Sequence, residues 1–195
     1  MKAIRSALFV PGHKADWIQK ALNSESDGVI IDLEDSVPES DKSLARLNAR
    51  EAILSYKGDK TILVRPNALD TDFFGDDVDT VSVSGLAALL LPKLYSRDDV
   101  VRFDALVSAA EIRNEVVRNS IELIPTLETA ASVNLVDSLL AAPRIGGVMA
   151  AAAKDADISR EVGFTWTEAG FETLYLRSKV VVAARAAGLR CIILG

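Results

Sequence analysis

Seven short apolar runs punctuate the chain: "AIRSALFV" (3–10), "GVIIDLE" (28–34), "TILVRPN" (61–67), "LAALLLPK" (86–93), "IELIPTLE" (121–128), "RIGGVMAAAA" (144–153) and "LRCIILG" (189–195). All are rich in branched aliphatics and show little alternation, the pattern of parallel strands covered on both faces. Helix-patterned segments lie between them. In 39–55, Leu44, Leu47 and Leu54 recur near helical spacing among polar residues. Residues 97–118 mix charges with Val100, Val101, Leu106, Val116 and Val117, and 168–188 end in "AARAAGL", where Gly188 reads as a helix stop. No repeat of fixed period, low-complexity tract or linker interrupts the series, so 1–195 reads as one domain.

Strands alternating with helices predict either a doubly wound sheet or a (β/α)8 barrel. The placement of polar residues separates the two. Glu34 and Asp35, Arg65 and Asn67, Lys93, and Glu128 each fall at the C-terminal end of a different predicted strand. A barrel gathers those ends into one ring, where its active site lies. A doubly wound sheet favours a single switch point with a Gly-rich phosphate loop, and the chain has neither GxGxxG nor GxxxxGK[ST]. The barrel is therefore expected. Barrels typically take ~250 residues, and the apolar runs number seven. The expectation is a TIM-type α/β barrel without its eighth β/α unit.

Composition narrows the function classes. The net charge of −6 argues against general nucleic-acid binding. Cys191, the only cysteine, excludes a disulfide framework and a thiolate metal cluster, and its apolar surroundings place it in the core. Pro11-Gly12 interrupts an N-terminal apolar run too short for a signal peptide, and no window reaches the ~20 apolar residues of a membrane span. The expectation is a soluble cytoplasmic protein without membrane or nucleic-acid partners.

The strand-end carboxylates Glu34, Asp35 and Glu128, with Asp155 and Asp157 after the sixth run, carry the strongest chemical signal. Hard cations such as Mg²⁺ take oxygen ligands, usually one or two carboxylates completed by waters and substrate oxygens. A single His and a single Cys rule out a His-rich zinc site. Glu128 would share an ion with Asp155 or Asp157. A glutamate ending a buried strand needs a charged partner or a metal. Arg65 offers a planar fork for a carboxylate or a developing oxyanion, and would equally pair with Glu34 or Asp35. The segment "RSALFVPGHK" is expected to bring Arg5, Pro11, Gly12, His13 and Lys14 to the top of the first strand, where they would meet an anionic group such as a coenzyme A phosphate. His13 reads as a solvated loop residue. Lys93 stands where some barrel aldolases carry a Schiff-base lysine, although the nearby carboxylates favour an electrostatic role.

The segments "RSALFVPG", "DGVIIDLEDSV" with Lys42 and Ala45-Arg46, "LVRPN", "LLPK", "IPTLET" and "ETLYLRSKVVVAARAAGL", in that order, resemble the motifs of citrate lyase beta subunit-like proteins of the HpcH/HpaI aldolase and citrate lyase superfamily. The resemblance runs over essentially the whole chain. It implies a (β/α)8 barrel, commonly trimeric, that holds Mg²⁺ on Glu128 and Asp157, with Asp155 as the alternate ligand. Arg65 would bind the substrate carboxylate or carbonyl. Glu34 and Asp35 would lie beside the metal and order its waters. Asn67, Lys93, Arg5, Pro11 and Gly12 complete the expected substrate-binding set. Two departures stand out: Ala153-Lys154 replaces the usual Phe-Gly before the metal aspartate, and the family's C-terminal lid has no counterpart in the chain.

The reaction implied is Mg²⁺-dependent carbon–carbon cleavage of a 3-hydroxy-acyl-CoA of the citryl-, citramalyl- or malyl-CoA type. Its products are an oxo-acid and an acyl-CoA thioester. The alternatives are a class II aldolase acting on free 2-oxo-acids and a non-catalytic, degenerate subunit.

Overall fold

Each of the seven apolar runs forms a parallel strand, and every strand pairs with the next in sequence. The computed structural model describes residues 4–195. The strands are β1 (Ala7–Pro11), β2 (Gly28–Asp32), β3 (Thr61–Arg65), β4 (Ala88–Leu91), β5 (Glu122–Leu127), β6 (Gly147–Ala150) and β7 (Cys191–Leu194). They lie side by side in the order β1-β2-β3-β4-β5-β6-β7, all parallel. Helices α1 (Ala15–Leu22), α2 (Lys42–Ser55), α3 (Phe74–Val81), α4 (Arg97–Arg113), α5 (Ala130–Asn134), α6 (Val136–Leu140), α7 (Asp157–Val162) and α8 (Leu174–Ala186) connect them.

The missing alternation in the strands has a direct cause: both faces are apolar, but each faces a different core. Val29, Ile31, Ile62, Val64, Leu89, Leu91, Leu123, Leu127, Val148 and Ala150 point outward and pack against the helices. The residues between them, Ile30, Leu63, Ala88, Leu90, Ile124 and Met149, form a second cluster on the inner face. Ile4 and Ala7 at one end of the sheet and Ile193 at the other pack on that same inner cluster, so the sheet curls around a lumen. The architecture is a TIM-barrel-like α/β fold. Among the described residues, β1 and β7 share no ladder.

All three expected helices are shorter than their pattern suggested. Segment 39–55 opens with a 3₁₀ turn, Glu39–Asp41, before α2 begins. Segment 97–118 ends at Arg113 because Glu115 turns to φ +55. Segment 168–188 contains the 3₁₀ turn Phe171–Thr173 followed by α8 and stops at Gly188, with φ +75, as expected. The remaining helices, of five to eight residues, are too short to give a periodic signal. No helix among the described residues is long and apolar enough to cross a membrane. Cys191 is buried, as expected.

One buried hub locks the face remote from the strand C-termini. The Arg144 guanidinium donates to Asp104 (2.7 Å), Glu111 (2.7 Å), Ser108 (2.7 Å) and Asn119 (2.7 Å), while Glu111 is completely buried. The main-chain N–H groups of Asn119 and Ile121 complete the Glu111 carboxylate, so a charge that is costly to bury has every partner it needs.

Candidate active site at the strand C-termini

The parallel register sets Asp32, the last residue of β2, beside Arg65, the last residue of β3. The Arg65 guanidinium grips both Asp32 oxygens, Nε to Oδ1 at 2.6 Å and Nη2 to Oδ2 at 2.8 Å. Its remaining nitrogen, Nη1, lies 3.2 Å from Glu34 and 3.6 Å from Asp35. The Phe9 ring covers the guanidinium at 5.3 Å. Burial alone would raise the Asp32 carboxyl, but the bonds and charge of Arg65, with the hydroxyl of Ser36, outweigh it and hold the group below the usual carboxylate range.

A second cation enters from β4. Lys93 adopts a left-handed backbone (φ +49), and its Nζ lies 2.9 Å from Glu34 and 3.3 Å from Asp35. Glu34 thus sits between two cations, yet among the described residues neither of its buried oxygens accepts a well-aligned hydrogen bond. Burial raises the Glu34 carboxyl against the pull of Arg65. The Lys93 main-chain N–H donates to Glu128 Oε1 at 2.6 Å. Glu128 follows β5 directly, and Thr129 behind it caps α5 in a reciprocal pair with Ser132. Only 3% exposed, Glu128 is pushed up to about 7, first by burial and then by the neighbouring Glu34 and Asp157 charges.

Asp157 opens α7 and pairs with Arg160. An open cavity of about 720 Å³ is lined by Asp35, Lys93, Tyr95, Glu128, Asp157 and Arg160 among others. Asp155, the alternate ligand read from the sequence, does not line it; it takes φ +61, and its carbonyl accepts from Arg160 at 2.9 Å.

Other expected residues fall in different places. Pro11 ends β1 in register with Asp32. The Gly12 N–H donates to the Asp32 carbonyl at 2.8 Å, and a Cβ at Gly12 would lie 2.9 Å from that oxygen. Asn67 is 3% exposed and spends its side chain internally: Oδ1 accepts from Lys42 (2.6 Å), and Nδ2 donates to Leu33 (2.9 Å) and Asp77 (2.6 Å). It therefore braces the mouth from behind. Lys42 also donates to the carbonyls of Leu33 and Glu34, each at 2.7 Å, which fixes the loop carrying Glu34.

Arg5 requires a correction. It precedes β1, so it lies at the opposite end of the sheet from Pro11 and Gly12. There it forms a two-pronged pair with Asp27, at 2.9 and 2.7 Å. A separate cavity of about 490 Å³ on that face is lined by Arg5, Asp27 and Lys60. Both of its cations are engaged, Arg5 by Asp27 and Lys60 by the carbonyls of Ser24 and Ser26.

The sequence reading placed Arg65 against Glu34 or Asp35 and missed its principal partner. The available signal was position: Asp32 and Arg65 each close a five-residue strand. Lys42 was legible only as part of the motif that carries the family resemblance, and Tyr95 carried no signal.

The HpcH/HpaI aldolase/citrate lyase family model matches residues 5–194. The chain belongs to that family. Within the HpcH/HpaI family it is 32% identical over 193 residues to the citrate lyase subunit beta-like protein of Deinococcus radiodurans, covering 95% of this chain and 63% of the relative. It is 38% identical over 172 residues to the L-malyl-CoA/beta-methylmalyl-CoA lyase of Cereibacter sphaeroides, covering 85% of this chain and 52% of the relative. Among solved structures it superposes on the citrate lyase beta subunit of Mycobacterium tuberculosis complexed with oxaloacetate and magnesium. The TM-score there is 0.75 at 25% identity, over 96% of this chain and 77% of that one. The chain thus spans less than two thirds of the length of these curated HpcH/HpaI relatives.

Proposed function

We propose that this chain carries the oxo-acid end of a carbon–carbon lyase site. The site would cleave a 3-hydroxy-acyl-CoA of the citryl-, citramalyl- or malyl-CoA type into an oxo-acid and an acyl-CoA. The observation that carries this reading is the convergence of Arg65, Lys93, Glu34 and Glu128 beside one open cavity, in a family whose similar members are named for such lyases.

The donor set fits Mg²⁺. Among the described residues no group of three or more His, Cys, Asp or Glu side chains gathers around one point, which disfavours an all-protein cage. Glu128 and Asp157 instead offer two carboxylates on the wall of a cavity with room for waters and substrate oxygens, the arrangement Mg²⁺ prefers. Glu128 is also buried near two like charges, so a cation beside it would remove an electrostatic cost. When bound there, Mg²⁺ would act as a Lewis acid on the hydroxy-acid portion of the substrate.

The chain's own groups supply the rest. In the cleavage direction the substrate hydroxyl loses its proton, the carbon–carbon bond breaks to leave the oxo-acid carbonyl, and the released carbanion of the thioester takes up a proton. Negative charge shifts from the hydroxyl oxygen to the thioester enolate during this step. Arg65 and Lys93, held by Asp32, Glu34 and Asp35, are fixed positive charges that need no reorganisation as it does so. Glu34 and Asp35 order the polar contents of the mouth.

Calorimetric titration of oxaloacetate with and without Mg²⁺, repeated on Glu128→Gln and Asp157→Asn, tests the reading. Mg²⁺-dependent binding that both substitutions abolish is expected. Binding that ignores Mg²⁺, or survives both substitutions, would overturn it.

A further inference from the structure

The inner face of β5 carries a polar group that neither the ion pairs nor the helix caps explain. Thr126 is 2% exposed, and its hydroxyl has no hydrogen-bond partner among the described residues. Its direction follows from its neighbours: Leu123 and Leu127 pack in the outer core, whereas Ile124 belongs to the inner cluster. Residues 124, 126 and 128 therefore face the lumen, because side chains alternate along a strand. Thr126 stands one step beneath Glu128, in register with the inner-facing Met149 of β6. The hydroxyl of nearby Thr129, by contrast, accepts from Ser132. Valine has nearly the same shape and would fill the Thr126 position without a polar atom. A buried hydroxyl left without a partner is costly, and such groups are few in folded proteins.

We propose that Thr126 is a substrate-contacting residue on the lumen face of β5, one step beneath Glu128, its hydroxyl donating to a carboxylate oxygen of the bound oxo-acid. The inference rests on the oxo-acid site argued above. It extends that site downward, from the charged ring of Arg65, Lys93 and Glu128 to a neutral donor beneath it. Ligand entry completes the hydroxyl's hydrogen bonding, so the cost carried by the empty protein is recovered on binding. A neutral donor also suits this place, since another cation would need a further buried carboxylate to balance it.

The test is oxaloacetate binding in the presence of Mg²⁺, measured calorimetrically on the wild-type chain, Thr126→Val and Thr126→Ser, with a thermal melt of each without ligand. Thr126→Val is expected to melt at or above the wild-type temperature, since it removes an unpartnered polar atom, and yet to bind oxaloacetate about tenfold more weakly. Thr126→Ser keeps the donor and is expected to bind within about threefold of wild type. Thr126→Val binding as tightly as wild type would overturn the inference while leaving the oxo-acid site standing. A folded wild type that binds no oxaloacetate would overturn the oxo-acid reading, and this contact with it.

Discussion

The main-chain N–H of Lys93 donates to the Glu128 carboxylate at 2.6 Å, so a residue just past β4 holds the residue that follows β5. The same lysine sends its ammonium to Glu34 at 2.9 Å. One residue thereby organises both carboxylates, and it does so from a left-handed backbone that side-chain-bearing residues rarely adopt.

That conformation gives a paired prediction. Lys93→Gly and Lys93→Val both remove the ammonium and keep the N–H, but only valine brings a branched side chain into the left-handed region. Lys93→Val should be less stable than Lys93→Gly by ~1–2 kcal/mol in denaturant melts. Equal stability would mean that the bond to Glu128 does not require this backbone geometry.

Arg65 is a counterion before it is anything else. Asp32 is 1% exposed, and this guanidinium is the cation that bonds both of its oxygens, beside the Ser36 hydroxyl. Arg65→Met leaves that carboxylate buried and unpaired, and should cost ~3–5 kcal/mol in an unfolding titration. Arg65→Lys should recover only part of the loss, since one ammonium cannot reproduce the two-pronged grip on Asp32 while also reaching Glu34. In a double-mutant cycle, Asp32→Asn with Arg65→Met should cost less than the two single changes added. Strict additivity would show that the pair is not the stabilising unit.

The strands were legible in the sequence because each is buried on both sides and needs an unbroken apolar run, as Val29-Ile30-Ile31 and Leu89-Leu90-Leu91 show. The convergence of Glu34, Arg65, Lys93 and Glu128 was legible for a related reason: parallel strands end on one face. That reasoning failed for Arg5, which was read as part of a motif when its place before β1 puts it on the other face. Partner choice was not legible. Arg65 faces Asp32, Glu34 and Asp35 together, and only the register gives Asp32 both strong bonds. Asn67 looked like a mouth residue from its position after β3, but Lys42 of α2 and Asp77 of α3 draw it inward, a packing choice that strand position alone does not reveal.

Burial sets the pH response of the metal-free protein through Glu128. Its carboxyl is raised from the ordinary 4.5 to about 7, so between those values the folded state holds a proton that the unfolded chain has released. This group's contribution to stability is therefore fully present below about 4.5, is lost as pH rises through about 7, and stays lost above that. In a chelator, Glu128→Gln should abolish that decline and make the protein more stable than wild type at pH 8, by up to ~3 kcal/mol. Unfolding free energies at pH 5, 7 and 8 for both proteins check it. A wild type that gains stability relative to Glu128→Gln across this range would show the opposite linkage.

Gly12, which has no side chain, should matter as much as the charged residues. A Cβ at Gly12 would meet the Asp32 carbonyl oxygen at 2.9 Å, Leu33 Cδ2 at 2.9 Å and the Ala45 Cβ at 3.0 Å. Two of these are the backbone of β2's last residue and the first atom of a side chain on α2, neither of which can swing aside. Gly12→Ala must therefore push the β1–α1 turn away from the end of β2, strain the 2.8 Å bond from the Gly12 N–H, and shift Asp32 with the Arg65 it holds. The expected cost is ~1–3 kcal/mol, accompanied by weaker oxaloacetate binding although no side chain has been removed. Gly75 in α3 is the control. A Cβ there meets nothing within 4 Å, so Gly75→Ala should stabilise the protein by ~0.5–1 kcal/mol through helix propensity and leave binding unchanged. If Gly12→Ala behaved like Gly75→Ala in both the melt and the titration, the close approach of the β1–α1 turn to Asp32 would not be what fixes Arg65 in the mouth.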